Sequence, residues 1–407
     1  MSDGREYSIL ASSRCHPDPV RPFRGLFNRR SLAHLSTLDG VDVDVVSPRA
    51  RAPPAGPYSE FRRIPREVEW TEYRVNHPRF SFVPPARAFR YTLSSRSFRK
   101  TIRRYINSST VEPDVAHAGH IHFDGYGLIP YCEENDIPFF VMGRGATLNA
   151  YPDLPRSGPA VVEETLEKCA GVICVSDALA EIASGIIGSD EKVHTVANGT
   201  SPEKFPNGHR DEIRDELGIP DGDTVVLFVG SFTERKGVKE IATALRSLDR
   251  PDTHFLFVGH HGELDTDIQS AINSATVGSR SRIYRGMPPF ALRRLFVAAD
   301  LLLLPSHAEG RPNVVYEAMA SKTAVLATDI GGIAEQMVNQ ETAILIPPRE
   351  PATLQENLES LLDSPKRLVK LGEAGYRRLL NQGWTWENHA REIRDLHEKA
   401  IESGTKT

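Results

Sequence analysis

The sequence of 407 residues predicts an α/β protein made of two Rossmann-like domains, each with a parallel sheet. Three observations predict it. Uninterrupted apolar runs such as Leu301–Leu304 and 225–229 read as strands buried on both faces, as strands of parallel sheets are. From Asp114 onward, strand-like and helix-like segments alternate, which is the order of a doubly wound sheet. The chain is also long enough for two cores, and 40% hydrophobic with 25% charged residues is ordinary for a soluble globular protein.

The first half opens with a strand at 8–11, a loop rich in Pro and Arg at 12–25, a helix at 26–38 and the alternating strand Val41–Val46. This is a Rossmann-like start without the Gly-x-Gly-x-x-Gly of dinucleotide dehydrogenases. A Pro-rich loop at 47–59 follows, then a stretch of arginines interleaved with aromatics, with a strand expected at 68–75 and a basic helix at 96–106. Strands at 114–117, 138–142, 171–175 and 193–196 alternate with helices at 126–135, 161–169 and Asp177–Ile187. Ser176 is a natural N-cap for the last of these. Residues 202–222 read as a linker.

The second half begins with the strand at 225–229, a glycine turn and a helix at 238–248. A strand at 254–258, the turn Gly259-His260-His261-Gly262, and a helix at 290–299 lead to Leu301–Leu304. The strand Ala324–Thr328, a Gly331-Gly332 turn and a closing strand at Ile344–Ile346 complete the second sheet. Trp386, Ala390, Ile393, Leu396 and Ala400 form a helical stripe near the end. The expected domains are 1–204, 205–383 and a terminal helical segment at 384–407.

The stretch of most chemical interest is His307-Ala308-Glu309-Gly310-Arg311-Pro312-Asn313, followed by a helical pattern containing Glu317. Free amides at that helix start attract an anion, and two carboxylates eight positions apart can bind hydroxyls of a polyol. The blander reading makes Glu309 a cap and Glu317 a solvated acid. A second phosphate cradle is read at Gly230-Ser231-Phe232-Thr233-Glu234-Arg235-Lys236-Gly237, a glycine turn with cations at a strand's carboxyl end.

Together, Glu309-Gly310-Arg311-Pro312-Asn313 with Glu317-Ala318-Met319-Ala320 and 327–335 resemble the nucleotide-sugar glycosyltransferases of family four, retaining enzymes of the GT-B fold. The resemblance implies that two sheet domains face a cleft and that the terminal helix crosses back to the first domain. It assigns Glu309 to the donor sugar and Glu317 to the ribose, with Gly310, Arg311, Pro312 and Asn313 beside the donor. Lys236 and Arg235 are expected on the diphosphate, with Gly25, Gly230, Ser231, Gly259, Gly286 and Met287 lining the donor. Two positions depart from the family pattern: Ser231 stands where it usually has Arg, and Arg144 stands where it usually has His. Arg144 is expected to supply phosphate with a permanent charge; the competing reading is a structural salt bridge. His117, His120 and Arg24 are expected to bind the acceptor. The implied reaction moves sugar from a nucleoside-diphosphate sugar to a hydroxyl acceptor in glycoconjugate synthesis, with no cofactor and no metal.

Charge adds to this. Residues 1–150 hold 21 basic and 16 acidic residues (+5), leaving 49 − 21 = 28 basic and 54 − 16 = 38 acidic residues (−10) in the rest. The basic half, almost entirely arginine, is either an ordinary solvated face or suits an anionic acceptor, including a lipid-linked one, or an anionic membrane surface. No nucleic-acid-binding module is present, so nucleic acid is not expected as a partner. The cysteines (Cys15, Cys132, Cys169, Cys174) are scattered, and neither a signal peptide nor an apolar run of roughly 18 residues is seen. A cytoplasmic enzyme is expected, with the inner membrane face open to it. A catalytically silent sugar-nucleotide binding protein and a sugar phosphorylase are the alternatives.

Overall fold

The structure, a computed structural model, describes residues 7–51, 59–82, 88–155 and 157–404. It divides into two compact units, Met1–Asn198 with Trp386–Thr407, and Gly199–Thr385. The segments that join the units pair with one another, Thr200 N donating to Trp384 O at 3.1 Å.

The first unit holds an eight-stranded sheet. Its strands lie in the order Val193–Thr195, Gly171–Cys174, Phe139–Gly143, Val115–Ala118, Tyr7–Ser12, Val41–Val46, Arg74–Asn76 and Glu67–Glu69. All neighbours are parallel except the last pair. The single strand expected at 68–75 is therefore a hairpin of two three-residue strands. The basic helix extends over Ala88–Ser108, beyond the 96–106 read from the sequence.

Helix Leu26–Leu35 starts at Gly25, whose φ of 72° and position require a missing side chain: an added Cβ would lie 1.9 Å from Cys15 O. The terminal helix Trp386–Gly404 packs on this helix. Its residues Ala390 and Ile393 join the first unit's core, and Trp386 is buried. Polar contacts fix its register. His389 Nδ1 donates to Ala197 O at 2.8 Å, leaving Nε2 to accept from Ser31 Oγ at 2.8 Å.

The second unit holds a six-stranded parallel sheet in the order Ser281–Tyr284, Thr253–Val258, Thr224–Val229, Leu301–Leu304, Ala324–Thr328 and Ile344–Ile346. Every residue of Leu301–Leu304 is buried, as its unbroken apolar run demands. Side chains alternate between two apolar clusters, one on each face: Leu301 and Leu303 enter one, Leu302 and Leu304 the other.

The expected linker at 202–222 contains helix Arg210–Leu217, which belongs to the second unit. Arg214 binds the Asp300 carboxylate at 2.5 Å and Arg210 pairs with its other oxygen, so this polar helix is held by charge more than by an apolar stripe. Gly331-Gly332 opens helix Gly331–Gln336 where a turn was expected. Helices Pro351–Leu362 and Pro365–Asn381 complete the unit and were not read from the sequence.

Candidate active site in the second unit

The carboxyl ends of Thr224–Val229 and Leu301–Leu304, neighbours in the sheet, carry the two loops in which the sequence placed its chemistry. The loops touch through their backbones. Gly237, at φ 70°, lies so close to Pro305 that a Cβ would be 2.0 Å from Pro305 O. Arg235 O accepts from His307 N at 2.8 Å, and Arg235 Nη1 donates to Ala308 O at 2.9 Å. Gly259 meets Gly230 in the same way: a Cβ on Gly259 would fall 1.9 Å from Gly230 O. Glycine is required because three strand ends converge with no room for side chains.

This convergence brings together Lys236 and Glu309, 73 positions apart. Lys236 Nζ donates to Glu309 Oε1, and the stem of Lys236 passes over Gly230. Glu309 Oε2 lies 3.7 Å from Arg235 Nη1. The Glu309 side chain is 9% exposed and that of Lys236 14%, whereas Arg235 is 53% exposed. The lysine therefore dominates the electrostatics, and the arginine is a screened outer charge.

A support not visible in the sequence lies beneath the loop. His307 Nε2 meets Glu240 Oε1 at 2.8 Å, joining the loop of Glu309 to the helix Val238–Ser247 that follows Lys236. Glu240 Oε2 is buried without a hydrogen-bond partner. Glu240 and His307 lie 67 positions apart, and neither matches a local pattern that could have announced the pair. Arg285 is a second unforeseen feature, stacked 4.3 Å from the Phe232 ring centroid and paired with Asp265 at 3.0 Å.

The Glu317 helix spans Asn313–Ala320, with Pro312 as its extended N-cap. Glu317 is buried one turn in. Asn313 is half-buried at the helix start, and Gly310 O accepts from Gly332 N at 2.8 Å. Ser231 is half-buried in the cradle loop, Gly286 is exposed at φ 61°, and Met287 is half-buried against the apolar cluster.

The Arg311 side chain has a structural role that the sequence did not announce. Its guanidinium is buried, donating from Nε to Tyr316 Oη at 2.5 Å and pairing with Glu335 at 3.0 Å, and it stacks on Trp384 at 4.8 Å. With those three partners its side chain braces the start of the helix, which leaves its backbone as the part that can serve a ligand.

The residues expected in the first unit behave differently from one another. His117 is buried, with Nδ1 3.2 Å from His397 Nε2 of the terminal helix, and burial pushes its pKa down to about 3. A neutral histidine enclosed by the core cannot meet an acceptor from solvent, so that expectation is corrected. His120 lies 3.5 Å from Asp124 and packs edge-on to Phe27. Arg144 is buried; its Nη1 donates to Asn198 Oδ1 at 2.7 Å, and its guanidinium lies over Phe27. Burial pushes its pKa down to about 9, which keeps it cationic at neutral pH. No carboxylate lies within ion-pair distance of it among the described residues, so the salt-bridge reading fails. Arg24 is half-buried beside Gly25.

Among the described residues no three His, Cys, Asp or Glu side chains gather closely enough to hold a metal ion, and no helix is long and apolar enough to cross a membrane.

Comparison with known proteins agrees with this architecture. Residues 209–378 match the family of glycosyl transferases group 1, and residues 30–204 match glycosyltransferase family 4. A putative teichuronic acid biosynthesis glycosyltransferase, TuaC of Bacillus subtilis, is 27% identical over 355 residues, covering 86% of this chain and 87% of that protein. A D-inositol 3-phosphate glycosyltransferase of Catenulispora acidiphila is 31% identical over 224 residues, 53% of each chain. This chain thus spans about half the length of that second relative. Among solved structures, sucrose-phosphate synthase from Thermosynechococcus elongatus superposes with a TM-score of 0.80 at 20% identity, covering 97% of this chain and all of that one. Anabaena HepE in complex with UDP-glucose superposes with a TM-score of 0.70 at 16% identity, over 97% of this chain and 100% of its own. At these identities the likeness establishes the GT-B fold.

Proposed function

We propose, for a chain that belongs to the group 1 glycosyltransferases of family 4, that it transfers sugar from a nucleoside-diphosphate sugar to a hydroxyl acceptor with retention of configuration. The observation that carries this is the contact of Lys236 with Glu309 where three glycine-lined strand ends converge. The donor diphosphate lies against Lys236, with Arg235 at the rim. Glu309 holds hydroxyls of the donor sugar and Glu317 those of the ribose.

The Glu309 carboxylate accepts from the ammonium group of Lys236. The diphosphate competes for the same cation, and its arrival releases Glu309 toward the sugar. As the glycosidic bond breaks, charge grows on the departing phosphate, and a preorganised lysine in a partly enclosed site stabilises that charge more than the ground state. The departing phosphate oxygen takes the acceptor proton as the new bond forms on the same face of the sugar. No divalent ion takes part, since the fixed cations take its place.

Teichuronic acid and D-inositol 3-phosphate appear in the relatives' names, which supports glycoconjugate synthesis as the setting. The test is a thermal-shift screen of nucleotide sugars, followed by turnover with the stabilising donor. Glu317→Ala should weaken binding of the free nucleoside diphosphate, while Glu309→Ala should spare it and lower turnover. Parent-like behaviour of both variants overturns the assignment. Cleavage requiring inorganic phosphate in place of a nucleotide sugar would favour a phosphorylase, and binding without turnover a silent protein.

A further inference from the structure

The first loop of the first unit, where it leaves strand Tyr7–Ser12, collects more positive charge than the fold uses. Asp18 is fully committed. Its Oδ1 accepts from Val20 N at 3.0 Å and Arg21 N at 2.9 Å, and its Oδ2 faces Arg49 at 3.1 Å and Arg21 at 3.7 Å. Arg49 is itself used as a strut, donating to Arg14 O, Ser47 Oγ and His16 O. Asp124 is engaged through Oδ1, by Ser12 Oγ and by Arg14 N at 2.7 Å, while its Oδ2 lies 3.5 Å from His120 Nδ1 without a hydrogen bond, so its charge offsets Arg14 only in part. The guanidinium groups of Arg14 and Arg24 are left, and neither has an ion-pair partner among the described residues.

The backbone forces these two arginines together. Gly25 sits directly on Cys15, with no room for a Cβ, and Asn28 Nδ2 clamps the same segment by donating to Cys15 O at 2.9 Å and Ser13 Oγ at 3.1 Å. Residues 14 and 24 are the neighbours of that contact. Arg14 is further fixed by stacking 4.4 Å from the Phe123 ring centroid and 5.5 Å from that of Phe82. Burial lowers its pKa, the charge of Arg24 acts in the same direction, and the Asp124 carboxylate opposes both. Two half-buried arginines brought together by this backbone contact, one of them stacked on aromatic rings, repel each other where no anion offsets their charge. Such a pair is a binding device, because a phosphate or carboxylate can accept parallel hydrogen bonds from each fork.

We infer that Arg14 and Arg24 form a subsite for an anionic group, a phosphate or carboxylate, carried by the acceptor. The inference rests on the glycosyltransferase reading above and specifies the acceptor's chemistry. It gives the basic excess of the first half of the sequence a place. The donor diphosphate is the other source of phosphate in this reaction, and the test separates the two.

Binding of inorganic phosphate and of glycerol 3-phosphate is measured by calorimetry on the full chain carrying Lys236→Ala, which weakens the cradle of the second unit. Adding Arg14→Gln or Arg24→Gln should lower affinity for both probes about tenfold or more, the loss expected for one charge-assisted fork. In the background with Lys236 intact, the same substitutions should leave affinity for UDP and GDP within about twofold, since neither arginine serves the nucleotide cradle. Unchanged phosphate binding overturns the inference, and so does a parallel fall in UDP or GDP affinity, which would assign the arginines to the donor. Arg24→Gln, on the loop and outside any stacking pair among the described residues, keeps the test available if Arg14→Gln does not fold. A parent protein that binds neither nucleotide nor nucleotide sugar would defeat the donor reading while leaving the phosphate measurement standing.

Discussion

The contact between Lys236 and Glu309 makes a quantitative prediction about coupling. Two unit charges about 4 Å apart attract by roughly 4 kcal/mol at an effective dielectric of about 20, and screening lowers this for exposed groups. Here the side chains are only 14% and 9% exposed, so little of the attraction is lost to solvent. Lys236→Met leaves Glu309 enclosed with Arg235 as its one remaining cation among the described residues, and that arginine is half in solvent at 3.7 Å. Breaking a fully buried pair costs about 3–5 kcal/mol. With Arg235 as partial replacement, the loss here should be about 2–3 kcal/mol. Glu309→Gln removes the charge that needed neutralising, so adding Lys236→Met to it should cost less than about 1 kcal/mol more. Urea unfolding of parent, both single variants and the double variant gives the coupling energy directly. Turnover should show the same non-additivity: each single change lowers it by about a hundredfold or more, and the double variant stays near the worse single one. If the two losses add in both stability and turnover, the pair does not act as a unit. The exchange of Glu309 for donor phosphate would then have to be abandoned.

Three further outcomes follow from the geometry. Gly237→Ala combines an unfavourable positive φ with a Cβ 2.0 Å from Pro305 O; it should cost more than about 2 kcal/mol in urea unfolding and abolish nucleotide binding, whereas Gly188→Ala, with nothing near its Cβ, should cost only about 1 kcal/mol. His117 and His389 are held neutral by burial, each with a pKa near 3 against about 6.5 when unfolded. Because their folded pKa is depressed, their contribution is present above about pH 6.5 and is lost as pH falls toward about 3, by up to roughly 1.4 kcal/mol per unit for each histidine. The urea midpoint should drop steeply between pH 6.5 and 4.5, and less steeply in His389→Gln; equal slopes would contradict this. Turnover should survive excess chelator, and complete loss restored by manganese or magnesium would refute the proposed role of the fixed cations.

What the sequence disclosed was governed by backbone and burial. Leu301–Leu304 and 225–229 were legible because a strand covered on both faces must be apolar throughout, and Ser176 because its hydroxyl caps a helix by accepting from Leu179 N. The hairpin at 67–76 was not, since strands of three residues carrying Glu67, Glu69 and Arg74 have too little buried face to impose alternation. Helix Arg210–Leu217 reads as a linker in the sequence because Asp300, the carboxylate that holds it, lies some 90 positions away. His117 was judged by its place at a strand end, and a partner from the terminal helix, His397, turned out to enclose it. The bracing role of the Arg311 side chain was not legible for the same reason, its partners Glu335 and Trp384 being remote in sequence.

The case of Glu309 and Lys236 joins the two kinds of information. Each residue was legible alone, one from a motif beside a helix start and the other from a glycine turn with cations, and the resemblance gave them different parts of the donor. The structure adds that they satisfy each other. A carboxylate and an ammonium group enclosed together need partners at every stage, because either one left alone in that setting is costly. On the proposed reading a diphosphate therefore does not simply add to the site; it takes the lysine while the sugar hydroxyls take the glutamate. A nucleoside diphosphate without sugar supplies only the first half of that exchange and leaves Glu309 to solvent and Arg235. The intact donor should accordingly bind with a larger enthalpy than the nucleotide alone, and this difference should shrink in Glu309→Gln, where no charge is displaced. Equal enthalpies in the parent would mean that the Lys236–Glu309 contact stays closed when donor is bound.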